Sequence, residues 1–147
     1  ALARAAADAA RAEEGVDTVL LPFRDAGTEH LLGAAGYLFA APENLASMSG
    51  IAKDFFDRCY YPALGRIEGR PYAALIAAGS DGQGAARQLA RIAQGWRLKP
   101  VAEPLVVCTR AQTPQEILAP KTVAPADLAR AAELGAALAA GLSLGIW

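Results

Sequence analysis

"GYLFAAPENLASMSG" (residues 36–50) turns from a continuous apolar run into a polar, proline-led loop. The run 36–42 has the unbroken apolar character of a parallel strand covered on both faces. Beyond the loop the pattern is helical. Ile51, Ala52, Phe55, Phe56, Cys59 and Tyr60 form a stripe at helical spacing, with Lys53, Asp54, Asp57 and Arg58 opposite. Lys53 with Asp57 and Asp54 with Arg58 are four apart, so that outer face supports itself in water. Pro62 and the Gly65–Gly69 segment should end the helix.

The same strand, loop and helix sequence recurs outward from this stretch. RPYAALIAAGS (70–80) predicts a second buried strand. It runs into the glycine-rich GSDGQG (79–84) and a helix over 84–98, with Leu89, Ile92, Ala93 and Trp96 inward. EPLVVCT (103–109) is a third apolar strand, and VDTVLLPF (16–23) is a short strand candidate. Residues 1–14 are an alanine-rich helix stopped by Gly15, and 28–35 hold one or two helical turns. Residues 111–125 read as an irregular link. Pro125 then opens a last helix, with Leu128, Ala131, Leu138 and Leu142 on one face.

Alternating strands and helices imply right-handed crossovers and an α/β domain: a doubly wound parallel sheet with helices on both faces. At 147 residues the chain makes one domain, 1–147. Ligands of such sheets sit outside the carboxyl ends of the strands, and both unusual loops, 42–49 and 79–84, fall there. The glycines of the second run G-x-x-G-x-G, which is not the dinucleotide fingerprint, and no Lys-Ser/Thr comes after them as in a nucleoside-triphosphate loop.

A net charge of −1 with 20% charged residues argues against a nucleic-acid partner. No apolar stretch approaches the roughly 18–20 residues a bilayer span needs, so no membrane partner is expected. Cys59 and Cys108 form no spaced framework and read as buried small hydrophobes, which favours a reducing, cytoplasmic setting. His30, the single histidine, reads as surface. Arg87 and Arg91 read as a solvated helix face, with recognition of a cofactor phosphate as the alternative. Trp147 reads as packing or as an anchor for a subunit contact. No catalytic or metal-ligating constellation is present in the sequence.

PENLASMSGIAKDFFDR (42–58) resembles the flavin-ring loop and following helix of flavodoxin-like NAD(P)H-dependent FMN reductases. Those typically read Pro-Glu-Tyr-Asn-x-Ser-x-Pro-Gly before a Lys-Asn/Asp helix. AGSDGQGAARQLARI (78–92) is similar to the glycine-rich loop that these proteins and the related quinone reductases place beside the flavin. The aromatic before the Asn is absent here, and Met48-Ser49 replaces the x-Pro pair before Gly50.

The resemblance implies a flavodoxin-like sheet of order 2-1-3-4-5 whose first strand and phosphate loop are missing from this chain. It also implies FMN as cofactor, NAD(P)H as co-substrate, a small-molecule acceptor such as a flavin or quinone, and a homodimer. The expected cofactor-binding residues are Pro42, Glu43, Asn44, Leu45, Ser47, Met48 and Ser49 from the first loop. Gly79, Ser80, Asp81, Gly82 and Gly84 come from the second. Met48 should supply adaptable contact to the ring, and Ser49 should cap the helix. The glycines should let the backbone approach the ring or ribityl chain. The competing readings are an electron carrier of flavodoxin type and a cofactor-free binding domain. A receiver-type phospho-switch is discarded, because its required strand-end aspartate and lysine are absent.

Overall fold

In the computed structural model, which describes residues 1–147, eleven elements succeed one another. They are α1 (Leu2–Arg11), α2 (Thr28–Gly33), β1 (Tyr37–Asn44), β2 (Ser47–Met48), α3 (Gly50–Ala63) and β3 (Pro71–Ala78). Then come α4 (Gln83–Gly95), β4 (Lys99–Pro100), β5 (Leu105–Cys108), α5 (Pro114–Leu118) and α6 (Pro125–Ser143). The sheet's body is parallel: β3 lies between β1 and β5, with Ala41 opposite Ile76 and Ala77 opposite Val107. In the expected order these are the third, fourth and fifth strands.

Period-2 alternation divides the core between two faces. Tyr37, Phe39, Tyr72, Ala74 and Ile76 point to one side, against Phe55, Phe56 and Cys59 of α3 and Leu89 of α4. Leu75, Leu105 and Val107 point to the other, against Leu2 of α1 and Ala131 of α6. There α1 and α6 approach backbone to backbone: any side chain at Gly135 would collide with the Ala6 carbonyl. Helices thus cover both faces, as the apolar strands require. On the outer face of α3, Lys53 Nζ meets Asp57 Oδ1 at 2.5 Å and Arg58 Nε meets Asp54 Oδ2 at 2.8 Å.

Three sequence expectations change. VDTVLLPF forms no strand, and Val19 is 69% exposed. Hydrophobic character gives a segment strand potential, but a strand exists only through a neighbour, and residues 15–21 make no backbone-to-backbone hydrogen bond to any other segment. Second, the link 111–125 holds a short helix. Thr113 and Glu116 cap α5 reciprocally, with Glu116 N–H donating to Thr113 Oγ1 at 3.2 Å and Thr113 N–H to Glu116 Oε2 at 3.0 Å. Third, Cys108 is only half-buried, while Cys59 is a core residue as expected. Trp147 folds back on its own helix, its indole N–H donating to the Leu138 carbonyl at 3.3 Å.

Candidate functional site

β1 and β3 end side by side, and their carboxyl ends carry the two loops that the sequence singles out. The first is a tight hairpin. β1 continues through Glu43 and Asn44, reverses over Leu45 and Ala46, and pairs antiparallel with β2, with Glu43 opposite Met48 and Asn44 opposite Ser47. A two-residue reversal of this kind needs positive φ at both central residues. Leu45 has φ 52° and Ala46 φ 61°, where glycine or asparagine would be at ease. Each side chain costs about 1–2 kcal/mol in that left-handed conformation. The hairpin closes when Ser49 N–H donates to the Pro42 carbonyl at 3.0 Å, and α3 starts at Gly50.

The second loop leaves β3 at Gly79 and enters α4 through Gly82, whose φ of 78° suits glycine. The end of β3 and the carbonyls of the loop are tied to the end of β5 and the residues just after it. Thr109 N–H donates to Ala78 at 2.9 Å and Arg110 N–H to Gly79 at 2.7 Å, while the Cys108 thiol reaches the Asp81 carbonyl at 3.7 Å.

The two loops are locked to each other. Gly82 N–H donates to Glu43 Oε1 and Ala85 N–H to Glu43 Oε2, both at 2.9 Å. The carboxylate therefore occupies the N-terminus of α4, where backbone donors and the helix dipole favour negative charge. The hydrogen bond from Ala85 is the main reason its pKa lies below the ordinary glutamate value. The hydrogen bond from Gly82, the nearby Gly84 amide and the charge of Arg87 act in the same direction, against some desolvation. One turn on, Gln88 Oε1 accepts from Ser47 Oγ at 2.8 Å and from Met48 N–H at 2.9 Å. Gly84 completes the junction, because a side chain there would strike the Ala46 carbonyl.

The expected site residues accordingly part company. Glu43 and Ser47 face their own protein, bonded to α4. Met48 is 3% exposed and belongs to the core. It therefore offers no free face to a ring, because the strand register that puts Glu43 opposite it turns its side chain inward. Ser49 sits at the N-cap of α3 but makes no side-chain cap bond. Gly82 is buried. Outward remain Pro42, Asn44, Leu45, Gly79, Ser80 and Asp81, all exposed, with Leu45 at 102%. The backbone N–H groups of Leu45, Ala46, Ser80 and Asp81 have no hydrogen-bond acceptor in the protein. Arg87 and Arg91 are exposed on α4. Gln88 carries no signal in the sequence, since its role depends on a partner some forty residues away. Two clefts of about 400 and 500 Å³ open elsewhere, beside Leu105 and Tyr72 at the opposite ends of the strands.

The sequence profile of the NADPH-dependent FMN reductase family matches residues 22–113, which takes in both loops. No curated protein matches the chain. Among solved structures, a flavodoxin from the domain Archaea is similar at 16% identity and a TM-score of 0.74, covering 97% of this chain and 88% of that one. The flavodiiron protein from Giardia intestinalis is similar at 19% identity and TM-score 0.77. The match covers 98% of this chain, which spans only 32% of that longer protein. An NADPH-quinone reductase from P. pentosaceus is similar at 18% identity and TM-score 0.59, covering 93% of this chain and 88% of that one. The likeness establishes a flavodoxin-like fold.

Proposed function

The chain belongs to the NADPH-dependent FMN reductase family, and from that premise we propose that it is an FMN-dependent oxidoreductase. In this reading FMN binds non-covalently over the hairpin and the glycine loop, and NAD(P)H drives reduction of a small acceptor such as a flavin or quinone. The supporting observation is the donor array: unpaired N–H groups at Leu45, Ala46, Ser80 and Asp81 on two loops that are fixed to each other.

The chemistry of these donors fits one part of the cofactor. The isoalloxazine ring carries carbonyl and imine acceptors along one edge, and backbone amides held in place suit them. The exposed Asn44 carboxamide, which bonds to nothing in the protein, adds a donor and an acceptor. The phosphate does not fit at the N-terminus of α4, because the Glu43 carboxylate already holds that position and would repel it. When bound, FMN supplies the redox chemistry, taking a hydride from the nicotinamide. The chain's own residues bind the ring, orient it and tune its surroundings. That division of labour needs no acid–base pair from the protein.

Exposed Tyr61 and Leu64 on and after α3, with Leu144 and Ile146 after α6, offer apolar surface for a homodimer, which a mass measurement in solution tests.

The deciding experiment is an FMN titration of the purified protein, monitored by flavin fluorescence, and then anaerobic addition of NADPH. Saturable quenching at micromolar FMN, with bleaching of the visible band by NADPH, supports the reductase. Flavin uptake without bleaching would favour an electron carrier, and no uptake would leave a binding domain.

A further inference from the structure

Glu43 is the one charged side chain that bridges the two loops, and both its oxygens are engaged there. We propose that Glu43 is a positioning residue, fusing the hairpin and the glycine loop into one rigid frame that presents the amides of Leu45, Ala46, Ser80 and Asp81 together. This rests on the flavin reading above and adds to it the residue that prepares the site.

The ties on the two sides of the glycine loop differ. Towards β5, its carbonyls at Gly79 and Asp81 are held by Arg110 and Cys108, and Thr109 holds the last residue of β3 just before it. Towards the hairpin, its hydrogen bonds run to the Glu43 carboxylate alone. Removing that carboxylate frees the amides of Gly82 and Ala85 and lets the stretch between Gly79 and Gly82 turn. The amides of Ser80 and Asp81 lie within that stretch.

The hairpin needs holding as well. Leu45 and Ala46 sit in a conformation that neither residue prefers, and an unpinned turn would relax away from it. Gln88 grips its returning strand through Ser47 and Met48. Glu43 grips its outgoing strand, so both limbs are fastened to the same helix. Donors fixed before the ligand arrives need no ordering when it binds, which is why such a frame strengthens binding without touching the ligand.

Glu43→Gln keeps the side chain's size but replaces one acceptor oxygen with an NH₂ group, which cannot accept from the α4 amides. It is to be compared with the unaltered protein by amide hydrogen exchange at Gly82 and Ala85, by FMN affinity, and by the visible spectrum and midpoint potential of bound flavin. The expected result is faster exchange at whichever of the two amides loses its acceptor, a Kd for FMN at least tenfold higher, and a shifted flavin band and potential. Faster exchange with unchanged affinity and spectrum would overturn the inference while leaving the flavin reading intact. Failure of the unaltered protein to take up FMN would overturn the flavin reading, and this inference with it. Should Glu43→Gln not fold, Gln88→Leu loosens the same hairpin from the other limb. A severalfold rise in Kd is then expected, and an unchanged Kd overturns the inference.

Discussion

The hairpin at 43–48 and the glycine loop at 79–84 meet at the start of α4, yet they reach their shapes by opposite means. The glycine loop places glycine where φ is positive, at Gly82, and its backbone is at ease. The hairpin puts Leu45 and Ala46 in the same region of conformational space and relies on outside contacts to hold them there. One loop is shaped by its own composition. The other is shaped by its neighbours, and two of its polar residues that look available for a ligand, Glu43 and Ser47, do the fastening instead. A polar loop at a strand end is therefore not a ligand loop by composition alone. What it offers a ligand is what remains after its own ties are made.

The largest test of this contrast is Gly84→Ala. A Cβ there meets the Ala46 carbonyl and the Glu43 carboxylate, so the seam between the loops must open. A loss of about 2–3 kcal/mol in urea unfolding is expected, as for overpacked sites with little room to adjust. Gly79→Ala, where the same Cβ would meet nothing, should change stability by less than about 0.5 kcal/mol. Equal losses at the two positions would mean that the loops are not tightly joined.

The pH dependence probes the same seam through charge. The Glu43 pKa is lowered on folding, chiefly by the Ala85 amide, so the unfolded chain holds this proton more tightly. The stabilisation from Glu43 is therefore complete above the ordinary glutamate pKa, and it is lost as the pH falls through the lowered folded value. Urea midpoints should drop across that acidic window in the unaltered protein, and less steeply in Glu43→Gln. Parallel pH profiles would show that the carboxylate contributes nothing to the junction.

Much of the fold was legible because it is written in local periods. The stripe from Ile51 to Tyr60 and the unbroken apolar runs of β1, β3 and β5 each report their element without reference to anything distant. What failed to show depends on partners. VDTVLLPF has strand composition, but no strand lies beside it to complete a ladder. The hairpin carries neither glycine nor asparagine at Leu45 or Ala46, so the usual short-range signal of a two-residue turn is missing. Glu43 and Gln88 act across about forty residues of chain, and nothing at either position announces it. The inward turn of Met48 comes from the hairpin register and was hidden with it. The Thr113-x-x-Glu116 box, by contrast, is a local signal that a reading of 111–125 as irregular passes over.

The strain in the hairpin can be measured directly. Ala46→Gly removes the Cβ that the left-handed conformation disfavours, and so should stabilise the protein by about 1 kcal/mol. The gain is partly offset by the greater freedom of glycine in the unfolded chain. If the substitution destabilises instead, the turn is not strained as its φ angles imply.

The smallest stability effect is expected for the pair Asn44→Ala with Ser49→Ala, and for that reason it isolates the ligand. The Asn44 side chain bonds to nothing in the protein, and Ser49 makes no side-chain bond at the start of α3. Neither truncation breaks a tie between the loops, so urea stability should stay within about 0.5 kcal/mol of the unaltered protein. FMN affinity should nonetheless fall, because Asn44 is an exposed, uncommitted carboxamide beside the free amides of Leu45 and Ala46. A fall in affinity without a fall in stability places the ligand against the outward face of the hairpin. Unchanged affinity moves it to the glycine loop alone, where Ser80 and Asp81 would carry the contact and the hairpin would serve only as their brace.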